Sequence, residues 1–303
     1  MPPRGAFVLT YYDVGANVRH VTEMIWLFPY DILIIATHCG DVKGYRWTYE
    51  YKDSEGINRV LVVDIAIGVA RTDDYNMLRV TQFIHFVSLD GVDWNDPDKE
   101  KKVYVGKAIL DFMDRTKDIS NGLRPVRRDT VPRVVRSAAL KMHDQNLIVV
   151  PRPLADEGTP VIINNACGSW HRLAKDFTFG NARAYVGTLF PVTGSEAQEV
   201  VIKLLDRHFG KSLPAALWSA RREIYGDGLR RPYIVSGVYP QRLRIQRHDV
   251  INRIGSRLSR TLAAWKSNLA EVDRNDASRV KMIEEIITYY EQQIAHIRHI
   301  ASG

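Results

Sequence analysis

The sequence predicts an α/β protein: a mainly parallel sheet with helices on both faces, extended by a C-terminal α-helical hairpin. Three observations carry this expectation. Short apolar runs of strand length alternate with segments of helical periodicity. Several of those runs are continuously apolar, as in parallel strands covered on both faces. After Pro240 the pattern changes to two long segments with apolar residues at helical spacing.

Residues 14–29 read as a helix whose apolar face is Val18, Val21, Ile25 and Leu27. A strand over 31–37 follows, with His38 at its end. The stretch 45–69 alternates and then runs apolar, which predicts a hairpin whose loop holds Asp53, Ser54 and Gly56. Residues 70–160 are less regular: a strand over 83–87, a polar loop over 93–102, helices near 104–115 and 131–143, and a short strand over 147–150. The strand 160–165 delivers Cys167, followed by Trp170 in a loop or helix turn. A strand over 184–189 precedes a helix over 194–208 with the buried stripe Ala197, Val200, Val201, Leu204 and Leu205. A second helix covers 212–225, with Ser212 placed to cap it and Pro214 in its first turn. A last strand spans 233–237. The hairpin helices span 247–270 and 277–300, broken at Asp273-Arg274-Asn275-Asp276.

The chain has 303 residues, with 42 basic and 35 acidic side chains and a net charge of +7. The two signs are interspersed. Arginine clusters such as Arg124-Pro125-Val126-Arg127-Arg128 and 242–247 are interrupted by apolar residues, so nucleic-acid binding is not the expected role. No apolar run reaches the roughly 18 residues that span a bilayer. The N-terminal apolar run is too short for a signal peptide, and a cytoplasmic protein is the simplest expectation. Gly210-Lys211-Ser212 is not a P-loop, because Leu205 stands where that motif needs glycine. His296 and His299 lack companion ligands, and neither cysteine has structural zinc spacing. No metal or cofactor is expected.

The reactive residue types gather at two strand ends. Leu33-Ile34-Ile35-Ala36-Thr37-His38-Cys39-Gly40 ends on an imidazole, and Val161-Ile162-Ile163-Asn164-Asn165-Ala166-Cys167-Gly168-Ser169 on a thiol. In open α/β sheets reactive groups collect at the carboxyl ends of parallel strands. A Cys–His pair there has the minimal equipment for nucleophilic attack on a peptide carbonyl. The chain has only these two cysteines, Cys39 and Cys167, and both fall in the two motifs. Cys39 fits either an inert thiol beside the site or a reversible disulfide partner of Cys167.

The second motif resembles the caspase nucleophile signature, and is closer to the CHAT branch of the caspase-like cysteine peptidases, whose nucleophile strand reads Asn-Ala-Cys-x-Ser. The likeness continues through Asn181-Ala182-Arg183-Ala184-Tyr185-Val186-Gly187-Thr188-Leu189-Phe190-Pro191-Val192. It extends to Gly210-Lys211-Ser212-Leu213-Pro214-Ala215-Ala216-Leu217-Trp218-Ser219-Ala220-Arg221. Upstream, Tyr30-Asp31-Ile32-Leu33-Ile34-Ile35-Ala36-Thr37-His38 looks like the family's catalytic-histidine strand. The four motifs stand in the family's order and cover roughly 15–70 and 145–240. Three departures accompany them: Cys39 intervenes between His38 and Gly40, an insertion separates His38 from Cys167, and the opening strand and helix are abbreviated.

The resemblance implies a caspase-like sandwich over 1–240, with an insertion at about 70–155, and a hairpin extension over 241–303. It implies a catalytic dyad of His38 and Cys167, and an oxyanion hole formed by the backbone N–H groups of Gly40 and Cys167. Asn165 stands where caspases carry a substrate-binding glutamine. Asp41 and Asp64 are candidates for a pocket that favours a basic residue. The implied function is a cysteine endopeptidase that cleaves a protein partner, with the products of neighbouring genes as candidates, as a regulated protease in a bacterial defence or cell-death module. An activating partner would dock on 241–303. The competing expectation is a catalytically silent caspase-like scaffold that uses the C-terminal helices for interaction.

Overall fold

In a computed structural model of the chain, the strands form two sheets, one of four strands and one of six. The structure describes residues 7–71, 78–98, 105–116, 122–238, 241–243 and 250–302. The end of the expected polar loop (99–102), Pro240 and the start of the first hairpin helix (247–249) lie outside them.

A 3-10 turn (Asp13–Gly15) leads into α1 (Val18–Leu27), β1 (Ile32–Ile35), β2 (Cys39–Lys52), β3 (Asn58–Arg71), β4 (Leu78–Leu89) and β5 (Val92–Asp93). Then come α2 (Val105–Thr116), β6 (Arg127–Lys141), β7 (Asn146–Leu147), β8 (Val161–Asn164), α3 (Trp170–Phe179) and β9 (Ala184–Thr188). The chain ends with α4 (Gly194–Leu205), α5 (Leu213–Tyr225), β10 (Tyr233–Gly237), α6 (Val250–Glu271) and α7 (Ala277–Ser302). It divides into two compact units, Met1–His38 with Ala70–Arg79 and Lys141–Gly303, and Cys39–Val69 with Val80–Leu140.

The first unit holds the four-stranded sheet, in the order β1-β8-β9-β10. β1, β8 and β9 run parallel, and β10 is antiparallel to β9. Every residue of β8 and β9 is buried. This explains their unbroken apolar character, because both faces of these strands are covered. On one face Val161, Ile163, Ala184 and Val186 pack with Val200 and Leu204 of α4 and with Leu213, Ala216, Leu217 and Ala220 of α5. On the other, Phe177 of α3 stacks on Tyr185 with ring centroids 5.4 Å apart. Helices therefore cover both faces of a mixed, mainly parallel sheet.

The hairpin of α6 and α7 packs on this unit. Val272, Ile283 and Ile287 bury against Leu262, Trp265, Leu269, Val280 and Met282 between the two helices. Tyr290 is fully buried and its hydroxyl lies 3.2 Å from the Leu27 carbonyl and 3.3 Å from Asp156 Oδ1. Thr261 donates to the other Asp156 oxygen at 2.9 Å. The residues after 240 are thus integral to the unit that carries β1 and β8.

The second unit is built on the antiparallel sheet, whose strands within it run in the order β5-β4-β3-β2-β6. β2 and β3 form the expected hairpin, with Asp53 Oδ1 accepting the Glu55 and Ile57 N–H groups in its turn. Ala108, Ile109 and Phe112 of α2 cover Tyr49, Tyr51, Leu61, Val63 and Ile65. Gly44 is required by close approach: a Cβ there would lie 2.2 Å from the Ile65 carbonyl oxygen and 2.4 Å from a Val134 methyl.

Two expectations change. The helix near 131–143 is strand β6, paired antiparallel with β2. Pro132 and the β-branched Val131, Val134 and Val135 disfavour a helix interior. Register shifts between Gly40 and Gly44, and the positive φ of Arg136 (63°), break the alternation that would have revealed the strand. The turn after Cys167 continues into the ten-residue helix α3.

Gly44→Ala is expected to cost about 1–3 kcal/mol by overpacking. Gly15→Ala, where nothing lies within 4 Å of the new carbon, serves as its control. Thermal unfolding of the two variants tests this; equal midpoints would contradict the close approach of β3 to Gly44.

Candidate active site

Strands β1 and β8 pair parallel and in register: Ile32 with Val161, Leu33 with Ile162, Ile34 with Ile163 and Ile35 with Asn164. One more bond continues the pairing, from the Asn165 N–H to the Ile35 carbonyl at 2.8 Å. His38 stands three residues beyond Ile35 (38 − 35), and Cys167 three beyond Asn164 (167 − 164). The pairing sets the two strands side by side as far as Ile35 and Asn165; His38 and Cys167 follow beyond bends at Thr37 and Ala166. Both belong to the first unit.

Each end is held by its surroundings. Beyond β1, the Thr37 hydroxyl donates to the Lys141 carbonyl, and the Lys141 N–H donates to the His38 carbonyl at 2.8 Å. The His38 backbone is thereby clipped while its side chain is exposed. Beyond β8, a buried polar network shapes the turn. Asn164 Oδ1 accepts the Ala166 N–H at 3.0 Å, and the Ser169 hydroxyl donates to the Asn164 carbonyl at 3.0 Å. Ser169 Oγ accepts the Thr188 N–H at 3.1 Å, and the Thr188 hydroxyl donates to the Ala166 carbonyl at 2.7 Å. Tyr185 adds a bond to the Ser169 carbonyl at 3.0 Å. Asn164, Ser169 and Thr188 are fully buried, so these bonds are made away from water. That makes each of them costly to break.

Cys167 is half-buried on this turn, just before α3. Gly168 follows with φ +64°, a left-handed conformation that glycine adopts without strain. The Cys167 Sγ lies 3.4 Å from the Val192 N–H nitrogen, which donates to it, and 3.6 Å from the Val192 carbonyl. Among the described residues, the Cys167 and Gly168 N–H groups make no hydrogen bond. Two successive open N–H groups leading into a helix are donors of the kind an oxyanion needs.

The Val192 contact has its own brace. Thr193 and Glu196 form a capping box at the start of α4. Arg230 holds Glu196 through two bonds of 2.9 and 3.0 Å, and also donates to the Pro191 carbonyl at 2.9 Å. The Arg230 hydrogen bond, aided by the Thr193 N–H, holds the Glu196 carboxyl down at about 2 against the opposing effect of burial. Tyr233 lies nearby. Burial, reinforced by Tyr225, Glu196 and Cys167, raises its phenol well above the ordinary value.

The remaining predicted residues have the following surroundings. Asn165 is buried and its amide donates to the Ala197 carbonyl of α4 at 3.1 Å, so it ties the strand end to that helix. Gly40 lies in β2 opposite Ala139, in the second unit. Asp41 and Asp64 are also in the second unit. Arg133 lies 3.5 Å from Asp41, and Arg46 holds the buried Asp64 through bonds of 2.7 and 2.9 Å. Both carboxylates already have an arginine. Cys39 opens β2 opposite Leu140.

The sequence reading passed over Gly168 as a donor, Val192, and the Glu196–Arg230 brace. Only Gly168 left a local signal, as the small residue after the cysteine. Val192 meets Cys167 from 25 residues away in the chain, and the Glu196–Arg230 brace holds the neighbouring Pro191. Among the described residues, no group of three or more His, Cys, Asp or Glu side chains is arranged to hold a metal ion. Among the described residues, no helix is long and apolar enough to cross a membrane. No family model, curated protein or solved structure matches the chain.

Ser169→Ala removes a donor to Asn164 and an acceptor from Thr188, and is expected to cost about 1–3 kcal/mol. A change in urea-derived stability below about 0.5 kcal/mol, the range of ordinary surface substitutions, would show that the network does not hold the turn. Glu196 gives a pH signature. Its native value of about 2 lies below the ordinary 4.5, so the folded state binds the proton more weakly. Its contribution is complete above pH 4.5 and is lost as pH falls towards 2. The stability difference between wild type and Glu196→Gln should therefore shrink over that window; a constant difference would contradict the brace.

Proposed function

We propose that the chain is a cysteine endopeptidase of the caspase-like CHAT type, acting on a protein partner through His38 and Cys167. The in-register pairing of β1 with β8, two strands whose ends lead into an imidazole and a thiol, supports the reading. The motif resemblance supports it and supplies the biological setting, a regulated protease of a bacterial defence or cell-death module in the cytoplasm.

The chemistry follows from the groups present. The Cys167 sulfur attacks the scissile carbonyl carbon, and the C=O π pair moves onto oxygen. The Cys167 and Gly168 N–H groups receive that negative charge. His38, having taken the thiol proton, returns it to the amine as the C–N bond breaks, leaving a thioester on Cys167. Water then attacks the thioester, with His38 accepting its proton, and the thiolate departs. Val192 holds the sulfur in place between turnovers. Gly168 takes the donor role that the motif resemblance assigned to Gly40.

Wild-type protein, Cys167→Ala and His38→Ala, each incubated with a bacterial proteome and with the products of neighbouring genes, test the proposal by mapping new N-termini. Cys167→Ala should lose cleavage by on the order of 10³-fold or more. His38→Ala should lose roughly 10²–10⁴-fold. Equal cleavage by wild type and Cys167→Ala would overturn the proposal.

A further inference from the structure

A pocket of about 280 Å³ opens at the C-terminal end of α5, lined by Trp218, Arg221, Arg222, Tyr225, Gly226, Asp227, Gly228, Arg230 and Arg231. Four guanidinium groups meet two nearby carboxylates there. Glu196 is engaged by Arg230, and Asp227 lies 3.5 Å from Arg222 in a pair exposed to solvent on both sides. Such an exposed pair is worth little. Among the described residues, Arg221 and Arg231 pair with no carboxylate.

These two arginines flank one ring. The Arg231 guanidinium lies 4.8 Å from the Trp218 ring centroid and that of Arg221 5.9 Å. Arg221 donates one bond to the Tyr233 carbonyl at 3.1 Å, while its buried Nε has no partner. An unpartnered buried donor is costly and is relieved by an acceptor. Burial and the neighbouring charge of Arg231 push the Arg221 guanidinium down, as expected where two cations share a site without an anion.

We infer that this pocket binds an acidic side chain of a polypeptide, its carboxylate held by Arg221 and Arg231 and its aliphatic stem lying on Trp218. Arginine's planar fork matches a carboxylate in two-point contact. The volume is just below the roughly 300–1,000 Å³ of pockets for drug-sized ligands, so it suits one side chain. Trp218 is half exposed and Leu229, between two lining residues, is almost wholly exposed, which offers apolar surface to the flanking peptide. The pocket also adjoins the cysteine loop. Arg230 lines it and bonds Pro191, whose neighbour Val192 touches Cys167. Binding here is independent of whether the thiol cleaves anything.

Fluorescence anisotropy on the full-length Cys167→Ala protein, with fluorescein-labelled hexaglutamate and hexaglutamine as probes at near-physiological salt, tests the inference. Hexaglutamate should bind at least about tenfold more tightly than hexaglutamine, the range expected of charge-assisted bonds. Arg231→Gln removes an exposed guanidinium and should weaken hexaglutamate at least about fivefold. Arg133→Gln, the same charge loss at an exposed site in the other unit, should change it less than about twofold. Equal binding of the two peptides, or equal effects of the two variants, would overturn the assignment. So would displacement of hexaglutamate by inorganic phosphate at concentrations below the peptide's own Kd, which would mark a free-anion site. Because the protein carries no nucleophile, these outcomes are read separately from any failure of the cleavage proposal.

Discussion

The parallel register between β1 and β8 is the constraint on which the rest of the site depends. It consists of a few backbone bonds between two four-residue strands, and these set the relative depth of everything beyond them. A shift of one residue would change that depth by about 3.3 Å and turn the side chains of one strand to the opposite face. β8 resists such a slip because both its faces are filled, one by α4 and α5 and the other on the side of α3. The packing of the sheet thus fixes the register from which the two reactive segments depart.

The two ends are built differently. The nucleophile turn is set in buried hydrogen bonds from Asn164, Ser169, Tyr185 and Thr188, which leave little freedom where Cys167 sits. The histidine end is exposed and clipped only through the Thr37 and His38 backbone region to Lys141. His38 also closes the first stretch of its unit, since Cys39 begins the other. A rigid nucleophile and a more lightly held acid–base group suit a reaction in which the imidazole serves two partners in turn, thiol and leaving amine.

Much of the first unit was legible in the sequence. Continuous apolar runs at 161–164 and 184–188, and helical stripes over 194–205 and 213–225, are strong signals because packing on both faces leaves no room for polar residues. His38 and Cys167 stand out in the sequence because each comes after a short apolar run. β6 was not legible, since Pro132, the register shifts opposite Gly40–Gly44 and the positive φ of Arg136 obscure its period. Asp41, Asp64 and Asn165 drew attention as polar residues near the motifs, but proximity in sequence did not report their partners: Arg133, Arg46 and the Ala197 carbonyl.

The central claim is that His38 and Cys167 act on each other, and thiol alkylation reads this without any substrate. The rate at which iodoacetamide modifies Cys167 at neutral pH, followed by peptide mass spectrometry so that Cys39 is scored separately, should fall at least about tenfold in His38→Ala, because the thiolate is the reacting species. Cys39 modification should be unaffected by comparison. Equal Cys167 rates in wild type and His38→Ala would contradict the account.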